Sequence, residues 1–266
     1  LPFPPKQDEL MEKISDVSVL GLRSSTNITG EILAEAKKLL CIGAYCIGTN
    51  QLDLKACNNF GTAVFNAPFS NTRSVVELVL SNIIALSRGT YDKSSLLHQG
   101  IWDKKAKGAH EIRGKKLGIV GYGNIGSQLS VLAENLGIEV YFYDIKEKLV
   151  MGNAHKCDSL KSLLKISDFI TIHVDGNPAN KNLIAEKEFS QMKDGVIFIN
   201  TSRGFVVDLK YLASALKSGK VVGAAIDVFD SEPKENGPGF SSPLLGLPNV
   251  ILTPHIGGST EEAQKN

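Results

Sequence analysis

Leu117-Gly118-Ile119-Val120-Gly121-Tyr122-Gly123-Asn124-Ile125-Gly126 is an apolar run that breaks into glycines spaced G-x-G-x-x-G. A helical pattern over 128–136, a second strand-like run over 139–143 and then Asp144 follow it. Strand, glycine turn, helix, strand and acid in this order are the elements of a dinucleotide site. Gly121 permits the tight turn, Gly123 lets backbone N–H groups approach a pyrophosphate, and Gly126 lets the helix pack closely on the sheet. The helix amino terminus supplies partial positive charge to the phosphates. Asp144 is placed to accept hydrogen bonds from the adenosine ribose hydroxyls and to repel a 2′-phosphate, which favours NAD over NADP, although Lys146 and Lys148 blur that preference.

The alternation continues on the carboxyl side, with strands expected at 116–120, 169–173, 196–200, 222–227 and 250–253 and helices at 160–165 and 209–218. That is the pattern of a doubly wound parallel sheet. On the amino side, residues 10–14 read as a short helix. Residues 17–22 read as a buried strand whose carboxyl end opens into the polar loop Arg23-Ser24-Ser25-Thr26-Asn27. Thr29 caps a helix expected to reach Leu40, followed by a strand at 41–45, a helix at 52–59 and a strand at 63–66. Asn71-Thr72 then caps a long helix over 74–88, whose apolar positions from Val75 to Leu86 recur at helical spacing and suit packing between domains. The Pro/Gly-rich stretch 232–243 reads as an ordered surface loop.

Bulk composition narrows the function classes. With 266 residues, 42% apolar and 21% charged, the chain has room for two ordinary globular domains. A net charge of +1 from 29 interspersed basic and 28 acidic residues offers no stripe for a nucleic-acid backbone. No apolar run approaches the roughly 20 residues of a membrane span. Cys41, Cys46, Cys57 and Cys157 form no CxxC pair and cluster with no histidine, so they read as free thiols of a reducing, cytoplasmic compartment, and no metal is expected. Both ends of the chain read as cut.

Three distant segments each follow an expected strand of the same sheet and carry ionisable or polar groups: Asn200-Thr201-Ser202-Arg203-Gly204, residues 227–233 with Asp227 and Glu232, and Thr253-Pro254-His255-Ile256-Gly257-Gly258. Arg, Glu and His in these settings, beside the glycine motif, resemble the D-2-hydroxyacid dehydrogenases. The likeness runs essentially end to end. In Gly21-Leu22-Arg23-Ser24-Ser25-Thr26, Ile47-Gly48-Thr49-Asn50-Gln51-Leu52-Asp53-Leu54, Phe65-Asn66-Ala67-Pro68-Phe69-Ser70-Asn71-Thr72-Arg73 and residues 253–264, it is similar to the phosphoglycerate-oxidising branch of that family.

The resemblance implies an α/β chain with two doubly wound Rossmann-like domains. A discontinuous substrate domain, 1–71 with 253–266, would hold an inserted NAD-binding domain, 72–252, with the reaction in the cleft. It assigns His255 as the base that takes the substrate hydroxyl proton, which suits an imidazole near its reference pKa of about 6.5. It assigns Glu232 as the carboxylate that orients His255 and raises its pKa, and Arg203 as the fork that binds the substrate carboxylate. Asp227 is read as a holder of the nicotinamide carboxamide, and Asn124, Ile125, Val174, Thr201, Ser202, Gly257 and Gly258 as lining the cofactor. Arg23, Ser24, Asn71 and Gln264 match positions that contact substrate, and Trp102 an aromatic that reaches into a neighbouring subunit, so a homo-oligomer, dimer or tetramer, is expected.

His98 and His110 flank a basic connecting segment and read as solvated, His155 lies near a turn, and His173 reads as a strand-end histidine beside the cofactor without a chemical role. Two rival functions keep the same residues: reduction of glyoxylate, hydroxypyruvate or 2-oxoglutarate, and NADH sensing by a corepressor-like binding protein. Members of the branch also carry a strand ahead of the first helix, a longer helix after Gly257-Gly258 and often a serine-sensing regulatory domain, none of which is complete in this sequence.

Overall fold

A computed structural model describes residues 5, 7–23, 25–233 and 235–265. The chain separates into two compact units, the first ending at Asn71 and the second running from Thr72 to Lys265.

The first unit contains α1 (Gln7–Ile14), β1 (Val19–Leu22), α2 (Gly30–Glu35), β2 (Cys41–Ala44), α3 (Leu54–Phe60) and β3 (Ala63–Asn66). Its three strands are parallel and lie in the sequential order β1-β2-β3, with no reversal of strand order among the described residues. Leu22, Ile42 and Ala44 bury one face of this sheet against Ile32, Leu33 and Cys57 of the helices. Thr29 caps α2 as expected, its hydroxyl accepting the Ile32 N–H at 3.5 Å. The helix stops at Glu35 rather than near Leu40, because Ala36 leaves helical geometry at ψ 57.

The second unit opens with α4 (Thr72–Arg88) and α5 (Thr90–His98). It then alternates β4 (Lys116–Val120), α6 (Asn124–Asn135), β5 (Glu139–Tyr143), β6 (His155–Lys156), α7 (Leu160–Ile166), β7 (Phe169–Ile172), α8 (Glu186–Gln191), β8 (Val196–Asn200), α9 (Leu209–Lys217), β9 (Val221–Ile226), β10 (Val250–Leu252) and α10 (Glu261–Lys265). All seven strands are parallel, in the order β10-β9-β8-β7-β4-β5-β6. The order reverses at β4, so the crevice at the carboxyl ends of β4 and β7 is a topological switch point.

Alternation along each central strand feeds a core on both faces. In β8, Val196 and Phe198 join the cluster that includes Leu163, Leu164, Phe189 and Leu212, while Ile197 and Ile199 join Val76, Val79, Ile83 and Leu129. A strand covered on both sides reads as a continuous apolar run. The apolar stripe of α4 packs within this unit, against α6 and β8 to β10.

Residues 253–265, which the sequence reading assigns to the first domain, cluster here with the second unit. The cause is local bonding. Thr253 N–H continues the ladder to Ile226 O at 3.1 Å, and the hydroxyls of Ser74 and Thr260 pair at 2.8 Å.

Candidate active site

The strand register brings the ionisable groups together. Ile172 lies opposite Asn200, Asn200 opposite Ile226, and Ile226 opposite Leu252, so β7, β8, β9 and β10 end in step. The loops that follow them carry Val174, Arg203, Asp227 with Glu232, and His255. Three of them start from a ladder bond: His173 N–H to Val120 O at 2.8 Å, Asp227 N–H to Asn200 O at 3.0 Å and Thr253 N–H to Ile226 O at 3.1 Å.

His255 and Glu232 meet directly. Nδ1 of the imidazole lies 2.8 Å from Oε2 of the carboxylate, and Glu232 Oε1 accepts the Phe229 N–H at 3.0 Å. The hydrogen bond to Glu232 raises the His255 pKa above 6.5 against burial and the charge of Arg203, with Asp227 adding to the rise. Burial alone would raise Glu232, yet the bonds from His255 and Phe229 and the charges of His255 and Arg203 hold it below 4.5. An ionised carboxylate accepts, so Nδ1 carries the proton and Nε2 is the nitrogen positioned for proton exchange.

Backbone geometry at His255 is unusual for a residue with a side chain, with φ +54. Asp227, only 2% exposed, explains how the turn is held. Its Oδ1 accepts from Thr253 Oγ1 at 2.6 Å and Ile256 N at 2.9 Å, its Oδ2 accepts from Gly257 N at 2.8 Å, and its main-chain oxygen accepts from His255 N at 2.8 Å. The carboxamide-holding role read from sequence thus falls on a carboxylate already engaged by three donors of the histidine turn.

Arg203 leaves β8 in extended geometry, half-buried, with Nη1 bonded to Ser202 O at 2.6 Å. Gly204 follows because a Cβ there would collide with the backbone of Phe229 and Asp230, which brings the arginine turn against the glutamate turn. Ser202 is buried and its hydroxyl is bonded to Asn200 Oδ1 at 2.9 Å.

The residues of the glycine motif fit a dinucleotide. Gly121 adopts φ +93 and lies so close to His173 O and Val174 N that no side chain is accommodated. Beyond Gly123, at the mouth of α6, a Cβ would meet nothing within 4 Å, so the space a phosphate needs is open. Asn124, Ile125 and Gly126 form the first turn of that helix. At the tip of β5, Asp144 is oriented by two backbone N–H groups, Tyr122 to Oδ2 and Lys146 to Oδ1, both at 2.8 Å. The Thr201 hydroxyl and His173 Nδ1 are buried without a hydrogen-bond partner among the described residues. Orphaned polar atoms at this edge suit a polar ligand. Burial pushes the His173 pKa down to about 3, so this imidazole is neutral and unsuited to acid–base work near neutral pH.

The expected substrate residues are dispersed between the units. Arg23 is exposed just after β1, Asn71 is half-buried at the end of the first unit, and Gln264 is exposed on α10 of the second. Ser24 lies outside the described residues. Gly258, half-buried, follows Gly257 after the histidine turn, and Val174 packs on the core at the end of β7. Sequence reasoning missed Asn200 and the binding role of Thr253. The order Asn200-Thr201-Ser202 at a strand end carried a signal, since an Asn side chain commonly accepts the N–H two residues on, and Asn200 Oδ1 accepts Ser202 N at 3.0 Å. Among the described residues no group of His, Cys, Asp and Glu is arranged to hold a metal ion, and no helix is long and apolar enough to cross a membrane.

Residues 80–257 match the family described as D-isomer specific 2-hydroxyacid dehydrogenase, NAD binding domain. The chain is 56% identical over 259 residues to D-3-phosphoglycerate dehydrogenase of Haemophilus influenzae. It is 53% identical over 259 residues to the protein of the same name from Escherichia coli K12. Each match covers 97% of this chain and 63% of the relative, so the chain spans less than two thirds of their length. Among solved structures it is similar to D-lactate dehydrogenase from Aquifex aeolicus, crystallised with NAD and lactic acid, with TM-score 0.85 and 28% identity over 96% of this chain and 80% of that one.

Proposed function

The chain belongs to the D-isomer specific 2-hydroxyacid dehydrogenases, and from that premise we propose that it oxidises D-3-phosphoglycerate to 3-phosphohydroxypyruvate with NAD, the first step of phosphorylated serine synthesis. The observation that carries the chemistry is the 2.8 Å contact between His255 Nδ1 and Glu232 Oε2 at the carboxyl edge of the nucleotide sheet. The choice of substrate rests on the phosphoglycerate dehydrogenases to which 97% of the chain aligns.

Bound at this site, NAD would supply the hydride acceptor for oxidation of the hydroxyl-bearing carbon. Its holders are Gly121, Gly123, Asn124, Ile125, Gly126, Asp144, Val174, Thr201, Ser202, Asp227, Gly257 and Gly258, with Arg203 and His255 alongside. Asp144 favours NAD over NADP, since a 2′-phosphate would face its carboxylate. His255 Nε2 takes the hydroxyl proton during oxidation and returns it during reduction. Glu232 keeps the Nδ1 proton and stabilises the imidazolium, and that differential stabilisation of the charged form is what makes the pair an acid–base device. Arg203 binds the substrate carboxylate through its planar fork and polarises the C2 oxygen. Arg23, Ser24, Asn71 and Gln264 bind the remainder of the substrate, the phosphate foremost.

The protein works as a homo-oligomer, dimer or tetramer, with Trp102 at a subunit contact. Four cysteines without a disulfide accord with a cytoplasmic location.

The test follows NADH absorbance with 3-phosphohydroxypyruvate, hydroxypyruvate, glyoxylate and 2-oxoglutarate supplied in turn, beside His255→Ala. The expected result is preference for the phosphorylated acid, with turnover falling at least 100-fold in the variant. Equal or better use of an unphosphorylated acid removes the phosphoglycerate assignment and leaves the dehydrogenase chemistry standing. NADH binding without turnover of any of them removes the enzymatic reading.

A further inference from the structure

Asn200 is the last residue of β8 and is fully buried. Its side chain takes no part in the strand ladder and instead spans the turn that bears Arg203. Oδ1 accepts from Ser202 N at 3.0 Å and from Ser202 Oγ at 2.9 Å, and Nδ2 donates to Arg203 O at 3.0 Å. One amide thus grips the N–H and hydroxyl of Ser202, ahead of Arg203, and the Arg203 carbonyl behind it. Beyond that carbonyl, Gly204 is wedged against the backbone of Phe229 and Asp230. Arg203 is therefore clamped on both sides in extended geometry, φ −145 and ψ 145, and its guanidinium folds back on Ser202 O at 2.6 Å.

The chemistry of the position is exacting. An acceptor must face the Ser202 N–H while a donor faces the Arg203 carbonyl, which only a neutral amide of this length supplies. Aspartate would set a second oxygen against that carbonyl. Alanine would leave the Arg203 carbonyl, the Ser202 N–H and the Ser202 hydroxyl without their partner, which is unfavourable for polar groups withdrawn from water.

We infer that Asn200 is a positioning residue for Arg203: it fixes the 200–204 turn so that the guanidinium is presented to the substrate carboxylate, without itself touching substrate, cofactor or reacting atoms. The inference rests on the reading of Arg203 as the carboxylate binder. A displacement of about 1 Å at such a group costs on the order of 100-fold in rate, so Asn200 governs turnover through geometry alone.

A double-mutant cycle tests this with Asn200→Ala, Asn200→Asp and Arg203→Ala, singly and combined, using kcat/KM for reduction of 3-phosphohydroxypyruvate and circular dichroism to verify folding. Each Asn200 substitution is expected to lower kcat/KM by about 10- to 100-fold in the wild-type background, and by less than about twofold once Arg203 is alanine. A penalty that persists undiminished in the Arg203→Ala background overturns the inference, because Asn200 would then act through the fold or through Thr201 and Ser202 on the cofactor. Should Asn200→Ala fail to fold, the isosteric Asn200→Asp carries the same comparison. An Arg203→Ala variant with wild-type kcat/KM overturns the inference by a different route, by removing the role assigned to Arg203 itself.

Discussion

The left-handed backbone at His255, φ +54, costs about 1–2 kcal/mol for a residue with a side chain. Asp227 offsets it by accepting from Thr253, Ile256 and Gly257 around the same turn. Strain held in place by a buried carboxylate keeps the imidazole where Glu232 reaches it. The pH dependence follows from signs. In reduction His255 gives its proton, so the rate falls as pH rises through its pKa in the loaded enzyme; in oxidation it takes a proton, so the rate falls as pH drops through the same value. Glu232→Gln removes the chief cause of the raised pKa. Both limbs should therefore move to lower pH, with reduction at pH 8 falling about tenfold or more and losing less at pH 6. A pH–rate profile of kcat/KM checks it; limbs that stay in place would assign the ionisation to another group. The pair also links to stability. The His255 contribution is present below 6.5 and lost as pH rises through its higher folded value, while that of Glu232 is present above 4.5 and lost as pH falls through its lower one. Both side chains are more than a third exposed, so this contribution is small.

Strands and motif-bearing turns are legible in the sequence because their pattern is set by burial on two faces. The runs at β4, β7 and β8 are apolar for that reason, and the glycine turn between β4 and α6 is fixed by contact with His173 and Val174. Arg203, Glu232 and His255 stood out since each follows such a strand. By contrast α5 escaped notice because it buries no residue, and a helix without an apolar stripe has no periodicity to read. It is tied down by tertiary bonds, such as Asp92 accepting Asn249 N at 2.8 Å. The bonding of Asn200 and Asp227 is not legible for a related reason: most of their partners are backbone groups, which sequence does not display. Asp168 belongs to the same class, binding Lys116 N through Oδ2 and Lys193 Nζ through Oδ1, both at 2.8 Å, at the amino edge of the sheet. Burial would raise its pKa, but the bonds from Lys193 and Lys116 hold it below 3.8. Its contribution is thus complete above that value and lost as pH falls through the lower folded one. Asp168→Asn should cost about 1–3 kcal/mol at pH 7, and the difference from wild type should shrink toward pH 3. Urea melts at the two pH values measure this; a difference independent of pH would show that packing rather than charge is what the substitution removes.

At the scale of the molecule, the second unit presents a surface that its own core does not use. Between α5 and β4 the chain is held firmly: Ile101 N bonds to Leu96 O at 2.9 Å, Lys93 Nζ reaches Lys105 O at 3.0 Å, and His110 N bonds to Ser87 O at 2.8 Å. Yet this fixed loop leaves Trp102 77% exposed, with Leu97 and Ile101 also exposed beside it. A hollow of about 550 Å³ adjoins them, lined by Ile84, Leu97 and Trp102 among cationic side chains. Keeping so large an apolar side chain in water within an ordered loop gains nothing for a monomer, whereas a buried Trp is among the strongest anchors of a subunit contact. In a closed symmetric assembly the same loop serves every protomer, so one substitution weakens each contact of that kind. Trp102→Glu should therefore weaken self-association by at least about 2 kcal/mol, roughly thirtyfold in the dissociation constant. Light scattering across a dilution series should show the variant dissociating at concentrations where the wild type does not, with circular dichroism unchanged. Equal masses at every concentration would exclude Trp102 from the contact and leave its exposure to be explained by another partner.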